Sequence, residues 1–238
     1  MLLGDHAGRA IPASLGDLGV GVADLERHIA WDIGVAGLGA ALARRLDAVF
    51  IQQRYSRLVI DCNRAPDHPG SMPTVSDGTA IPGNRALAPE DRERRRREIF
   101  DPYQDRIGGV LDERLENTRP TLLVSLHSFT PSMAGAARPW RFGVLHRGDS
   151  TLSRLVLASL RAEWGEAAGD NQPYSLNETD YTIPHHADVR GLDYLELEVR
   201  QDLIANAADQ AGVAGTLTRI LSKAAAITAP GGRAPRAI

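Results

Sequence analysis

Cysteine and lysine are nearly missing: Cys62 and Lys223 are the only ones among 238 residues. A single thiol excludes an internal disulfide and any zinc site built on cysteines. A Schiff-base or phosphate-loop lysine would have to be Lys223, near the C-terminus. No apolar run approaches the length of a membrane span, so no transmembrane helix is expected. The first residues carry no basic segment and no long apolar stretch, which reads as no signal peptide and a cytoplasmic protein. A net charge of −3 advertises no global basic surface, so neither nucleic acid nor membrane is an expected partner. The serine elbow G-x-S-x-G, the phosphate loop G-x-x-x-x-G-K-[ST], the dinucleotide fingerprint G-x-G-x-x-G and the metalloprotease H-E-x-x-H are all absent.

What remains is an ordinary soluble composition, 43% hydrophobic and 24% charged, on a chain long enough for one substantial core. The arginine-for-lysine bias reads as the mark of a GC-rich genome. Apolar spacing predicts helices over 22–46, with Asp24 as N-cap, over 89–116, 152–164 and 201–227. Short β-branched or apolar runs predict strands at 2–3, 48–52, 57–61, 121–126, 141–145 and 194–199. Residues 62–88 and 165–191 read as long loops, and a loop of that length in a compact domain is functional or mobile. The arginine-rich run from Glu90 to Glu98 holds nearly balanced charge and reads as a solvated helix face. Strands alternating with helices predict an α/β fold: one domain over 1–227, a mainly parallel, mixed sheet with helices on both faces, and a disordered tail over 228–238.

Several predicted strands end in functional groups. His6 follows the first, Asp61, Asn63 and Arg64 the third, His127 the central one, and Glu198 closes the last. Open α/β sheets bind ligands beyond the carboxyl ends of their strands, where these residues could meet. The set holds imidazoles, carboxylates, an amide and a guanidinium, with no evident hydroxyl or thiol nucleophile, and fits a metal-activated water better than covalent catalysis. Each member alone has a plainer reading. A strand-end histidine is often a satisfied core residue, and 61–64 reads equally as a turn closed by an Asx bond. Glu198, between Leu197 and Val199, faces burial and needs a partner, either Arg200 or a metal.

The segments Asp5-His6-Ala7-Gly8-Arg9-Ala10-Ile11-Pro12, Ser56-Arg57-Leu58-Val59-Ile60-Asp61-Cys62-Asn63-Arg64, Leu126-His127-Ser128-Phe129 and Leu195-Glu196-Leu197-Glu198-Val199-Arg200-Gln201-Asp202-Leu203 resemble the N-formylglutamate amidohydrolase family, in order, from about residue 5 to 205. The resemblance implies a zinc carboxypeptidase-like (phosphorylase/hydrolase-like) fold and one zinc, or another divalent ion, at His6 and His127. In carboxypeptidases a Glu three residues after the first His completes the site, whereas Arg9 stands there in this chain. The third ligand is therefore assigned to Asp32, with His28 as the alternative, since residues four apart share one face of the expected helix. The resemblance further implies Glu198 as general base and then acid, and Arg57 polarising the scissile carbonyl or holding a second carboxylate. It implies Arg64 with Asn63 gripping a substrate carboxylate, and Arg147, Tyr181 and His186 lining the pocket. Many relatives carry His after the mid-helix Pro-Tyr pair. Here Pro102-Tyr103 is followed by Gln104, which implies a drift in specificity.

The expected activity is zinc-dependent removal of a formyl or small acyl group from an acidic N-acyl amino acid such as N-formylglutamate. Two rivals stay open. One is a metallopeptidase or peptidoglycan-type amidase of the same fold, and the other is a non-catalytic relative, for which Arg9 and Gln104 speak.

Overall fold

In the computed structural model, which describes residues 1–228, the six strands of the main sheet and the five longer helices follow in chain order: β1 (Leu2–Gly4), α1 (Val35–Leu46), β2 (Phe50–Gln52), α2 (Pro89–Arg95), α3 (Asp101–Glu116), β3 (Leu123–Phe129), β4 (Phe142–Leu145), α4 (Thr151–Trp164), β5 (Ala168–Asp170), β6 (Tyr194–Arg200) and α5 (Ala207–Thr228). The strands lie in the order β2-β1-β3-β6-β4-β5. Every neighbouring pair is parallel except β6 and β4. The chain is thus a single α/β domain with a mixed, mostly parallel sheet. Among the described residues no helix is long and apolar enough to cross a membrane. The tail expected to be disordered lies outside the described residues, apart from Thr228, which ends α5.

Period-two alternation places the core. Val124 and Leu126 on β3, Leu195, Leu197 and Val199 on β6, and Phe142 and Val144 on β4 point to one face, where α1, α4 and α5 cover them. These strands are buried on both faces, as parallel sheets require. On the other face Leu3, Leu123, Leu145 and Tyr194 pack against Ile99, Phe100, Tyr103 and Ile107, together with Leu58, Ile60 and Ile81. That second face also carries every polar strand residue of the candidate site.

Three expected elements are corrected. Residues 22–46 are not one helix: a single turn at Val22–Leu25 and a stretch of tight turns precede α1. Gly21 is the N-cap of that turn, not Asp24. Gly34, in the left-handed region as the N-cap of α1, confines the helix to the second half. Residues 57–61 are a turn rather than a strand. The Ser56 hydroxyl donates to the Ala30 carbonyl and accepts from the Leu58 amide, so a side chain competes with the ladder for this backbone. The stretch 165–191 contains an edge strand, β5, and one turn of π-helix at Pro184–Asp188. The helix over 89–116 forms with Pro89 in its first turn, interrupted by π geometry at Arg96–Phe100.

The long 62–88 segment is ordered by polar anchors. Buried Arg95 donates from Nη1 to the Asn84 side chain and the Val59 carbonyl, and from Nη2 to Gly83. Asn84 in turn donates to the Leu58 and Pro73 carbonyls, while Ile81 is fully buried. One glycine is required by close approach: a Cβ on Gly8 would lie 2.0 Å from the Arg54 carbonyl oxygen, so only glycine lets the chain after His6 run along the 53–55 backbone.

Candidate active site

β1 is followed in sequence by α1 and β2, which lies on one side of it, while β3 lies on the other. The crevice between the carboxyl ends of β1 and β3 is therefore the point where strand order reverses, the usual ligand site of such sheets. His6 sits two residues beyond β1 and His127 lies within β3. Asp32 comes from the turns before α1 and is tied back by its amide to the His6 carbonyl at 2.8 Å.

These three buried residues each offer one ligand atom, all within 4.8 Å of one another. The Asp32 Oδ2 atom lies 2.9 Å from His127 Nδ1 and 3.6 Å from His6 Nδ1. His6 Nδ1 is buried and has no hydrogen-bond partner. The far side of each ring is held by acids. His6 Nε2 lies 2.6 Å from Asp61 Oδ1, and His127 Nε2 lies 3.1 Å from the Ser125 hydroxyl and 3.6 Å from Asp5 Oδ2. Asp61 can only accept, so the His6 Nε2 proton faces it and the Nδ1 lone pair points inward. Carboxylate-backed imidazoles around an inward donor set are the arrangement that orients metal ligands and raises their basicity. Two imidazoles and a carboxylate suit a divalent ion such as zinc, and one cysteine cannot supply a thiolate set instead.

Asp5 is supported by the Tyr103 hydroxyl at 2.8 Å. Asp61 also accepts Arg57 Nη2 at 2.6 Å and Nε at 3.1 Å, a pairing the turn over 57–61 permits and an extended strand would not. Burial works against charge throughout the cluster, yet the imidazoles outweigh it and hold Asp32 well below the usual carboxylate range. For Asp61, Arg57 is the strongest counterweight to burial, followed by His6, and its carboxyl is likewise held low. His127 is pushed well above its ordinary value, its hydrogen bonds with Asp32 and Asp5 overcoming desolvation. Glu198 and Glu196, on β6, are different. Burial dominates and pushes them up to about 7 and about 8. The Oε2 atom of each is buried without a partner.

The cavity over this cluster measures about 370 Å3. Its walls come from the 62–88 segment, the 174–180 loop and the small hairpin beginning Ser132–Met133. The sheet face beneath it is read from register: Glu198 pairs with His127 on β3 and Gly143 on β4, and Glu196 with Ser125 and Leu145.

The structure brings His6, Asp32, His127, Arg57, Asn63, Arg64 and Glu198 to this one cavity. It places the two candidate third ligands differently. Asp32 joins the cluster, whereas His28 stands at the cavity edge with Nε2 3.5 Å from Asp77 Oδ2. The helix face they were to share does not exist; a turn places Asp32. Arg9 points away, paired with Glu26 and over the Trp31 ring. Asn63 spends its side chain on structure, its Oδ1 accepting the Tyr181 and Thr182 amides and its Nδ2 donating to Asp180. Arg64 Nη1 binds Asp180 Oδ1 at 2.8 Å and two carbonyls.

Three expected pocket residues do not line the cavity. Arg147 is paired with Asp188 at the surface. Tyr181 stacks on His185 and packs on Phe100. His186 is buried behind Cys62, with Nε2 2.7 Å from Gln104 Oε1, while Gln104 donates to the Cys62 carbonyl. Gln104 also lies outside the cavity lining.

Asp5, Ser125, Glu196 and Asp180 were not singled out from sequence as site residues. The signal for two of them was there: Ser125 and His127, then Glu196 and Glu198, are polar residues at alternate positions of otherwise apolar strands, which places each pair on one face.

The fold and the buried His-Asp-His cluster at a strand-order reversal define an α/β protein with a candidate metal centre. A family model described as N-formylglutamate amidohydrolase matches residues 1–205, and the chain belongs to this family of amidohydrolases. A crystal structure of a gene product from Agrobacterium tumefaciens is similar at 36% identity and a TM-score of 0.91, covering 94% of this chain and 89% of that one. The fold is also that of an N-formylglutamate amidohydrolase from Ralstonia eutropha JMP134, at 21% identity and a TM-score of 0.68, covering 94% and 91% of the two chains. No curated protein matches the chain.

Proposed function

We propose that the protein is a zinc-dependent amidohydrolase that removes a formyl or other small acyl group from an N-acyl amino acid. The reading is carried by one observation: two acid-backed imidazoles and a carboxylate converge within 4.8 Å beside an unpartnered glutamate in a small cavity. His6 and His127, through Nδ1, and Asp32 would hold the ion. When bound, zinc supplies Lewis-acid polarisation of the amide carbonyl and lowers the pKa of water. Glu198, raised to about 7 by burial, accepts a proton from the attacking water and delivers it to the departing nitrogen. Arg57, held by Asp61, presents its guanidinium at the wall beside Asp32 and orients the scissile carbonyl. Arg64 spends Nη1 on Asp180 and the backbone, which leaves its Nη2–Nε edge for the carboxylate of the amino acid. A volume near the lower end of small-ligand pockets, about 300–1,000 Å3, favours a small acyl group over an extended peptide.

The test joins metal analysis to an assay of formate release from N-formyl amino acids, with N-formylglutamate as the reference substrate. About one equivalent of divalent metal, loss of activity on chelation and loss of both metal and hydrolysis in His127→Ala are expected. Full activity in protein free of divalent metal would overturn the mechanism.

A further inference from the structure

Tyr174 lines the cavity and has no task in the mechanism. Its hydroxyl oxygen accepts from Arg138 Nη1 at 3.0 Å, and the guanidinium lies 4.9 Å from the centre of its ring. A guanidinium has donors only, so it cannot take the proton of the phenol. No other described residue takes it, and the wall keeps one hydroxyl donor unspent. Arg138 is itself fixed. Its amide donates to the Pro131 carbonyl at 2.8 Å across the base of the small hairpin, and Nη1 also donates to the Thr130 hydroxyl at 3.1 Å. Thr130 follows β3 directly and lines the same cavity.

Backbone packing says which part of the substrate meets the phenol. A Cβ on Gly143 would lie 1.9 Å from the Gln172 carbonyl oxygen and 3.2 Å from the Glu198 Cβ. The segment entering Tyr174 therefore crosses β4 where Gly143 pairs with Glu198. The far end of the same loop carries Asp180, which holds Arg64 at 2.8 Å. One loop thus runs from the general base to the arginine assigned to the carboxylate of the amino acid, with Tyr174 at the acyl end. A formyl group offers one polar atom there, a carbonyl oxygen, which can only accept. Partial burial first, and Glu198 second, push the phenol above its ordinary value, so it keeps its proton at neutral pH.

We propose that Tyr174 is a further catalytic residue, whose hydroxyl donates a hydrogen bond to the acyl carbonyl oxygen and holds it as attack by water makes that oxygen anionic. Arg138 is its positioning residue: it touches no substrate and acts by fixing the phenol. A donor aimed at developing charge lowers the barrier more than it tightens ground-state binding. The proposal rests on the amidohydrolase reading.

The test measures formate release from N-formylglutamate by metal-loaded wild type, Tyr174→Phe, Arg138→Ala, Arg138→Lys and the double variant Tyr174→Phe/Arg138→Ala. Tyr174→Phe is expected to lower kcat at least about tenfold with KM within about threefold, while metal content and thermal unfolding stay those of wild type. Arg138→Ala is expected to lower kcat in wild type but by less than about twofold in the Tyr174→Phe background, because it acts through the phenol. Arg138→Lys, which keeps a donor, should recover most of that loss. Binding is read without turnover by calorimetric titration of N-formylglutamate into metal-loaded Glu198→Gln, where adding Tyr174→Phe should change Kd by less than about threefold. Three results overturn the proposal: a smaller fall in kcat for Tyr174→Phe, a loss confined to KM and Kd, or an Arg138→Ala effect of equal size in both backgrounds. Wild type that hydrolyses N-formylglutamate while Tyr174→Phe matches it sinks this proposal alone. Metal-loaded wild type that hydrolyses no N-acyl amino acid sinks the amidohydrolase reading and this proposal with it.

Discussion

The two faces of the sheet are made by the same strands and do opposite things. On the helix-covered face β3 and β6 present Val124, Leu126, Leu195, Leu197 and Val199 to α1, α4 and α5. On the other face the intervening residues are Ser125, His127, Glu196 and Glu198, all buried. One face gains free energy from burial. The other spends it, keeping two unpartnered acids and a cluster of ionised groups out of water. The difference shows how one buried strand serves both ends: a step of one residue separates a stabilising position from a reactive one, and the apolar face offsets the desolvation cost of its opposite.

Mutations can break that contrast. The largest effect is expected from Glu198→Gln, which should lower kcat by ~10²–10⁴-fold, the usual loss for a missing general base. Stopped assays with metal analysis check it, since the metal should stay bound. Stability should not fall, because an unpartnered buried acid is removed. The counterpart on the apolar face is Leu197→Ala. Denaturant unfolding should show a loss of ~2–5 kcal/mol from the cavity it leaves, with kcat per folded molecule near wild type. A result in which Leu197→Ala removes activity as well would erase the division between the faces.

Two smaller effects sharpen the polar face. Asp61→Asn should weaken metal affinity ~10–100-fold, read by competition with a chelator, because the acceptor that orients His6 loses its charge and His6 its added basicity. Asp61 also anchors Arg57, so kcat should fall beyond what metal loss explains. The smallest effect concerns His186, outside the cavity. Burial, and secondarily His185, depress it to about 4, and its Nε2 proton is spent on Gln104. Its folded value lies below its unfolded one, so the unfolded chain binds the extra proton. The stability His186 contributes in neutral form is therefore present above about pH 6.5 and lost as pH falls towards 4, on the order of 1–3 kcal/mol. Urea titrations at a series of pH values, wild type against His186→Gln, check it. The slope between pH 6.5 and 4 should flatten in the variant.

Much of the site was legible because functional residues stand at strand ends or interrupt apolar runs. His6, His127, Glu198 and the 57–64 motif needed no structure to be noticed. Asp32 was chosen on a helix face that the chain does not form; its position follows from turns before α1 and from its amide bonding the His6 carbonyl. Arg147, Tyr181 and His186 come from the part of the chain read as irregular, where sequence carries no direction. The π turn at Pro184–Asp188 buries His186 behind the cavity wall instead of in it. Glu196 was readable from alternation, but its burial without a partner was not.

By itself the sequence settled the class of fold, the absence of thiol ligands and the identity of the groups that could do chemistry, because periodicity and composition are properties of neighbouring residues. Tertiary structure alone decided which groups meet. His6, Asp32, Asp61 and His127 are as much as 121 residues apart, and only the reversal of strand order between β1 and β3 brings them to one crevice. Whether a carboxyl finds a guanidinium, as Asp61 does, or is left alone, as Glu196 is, depends on what other segments place beside it. That pairing governs its charge and its use.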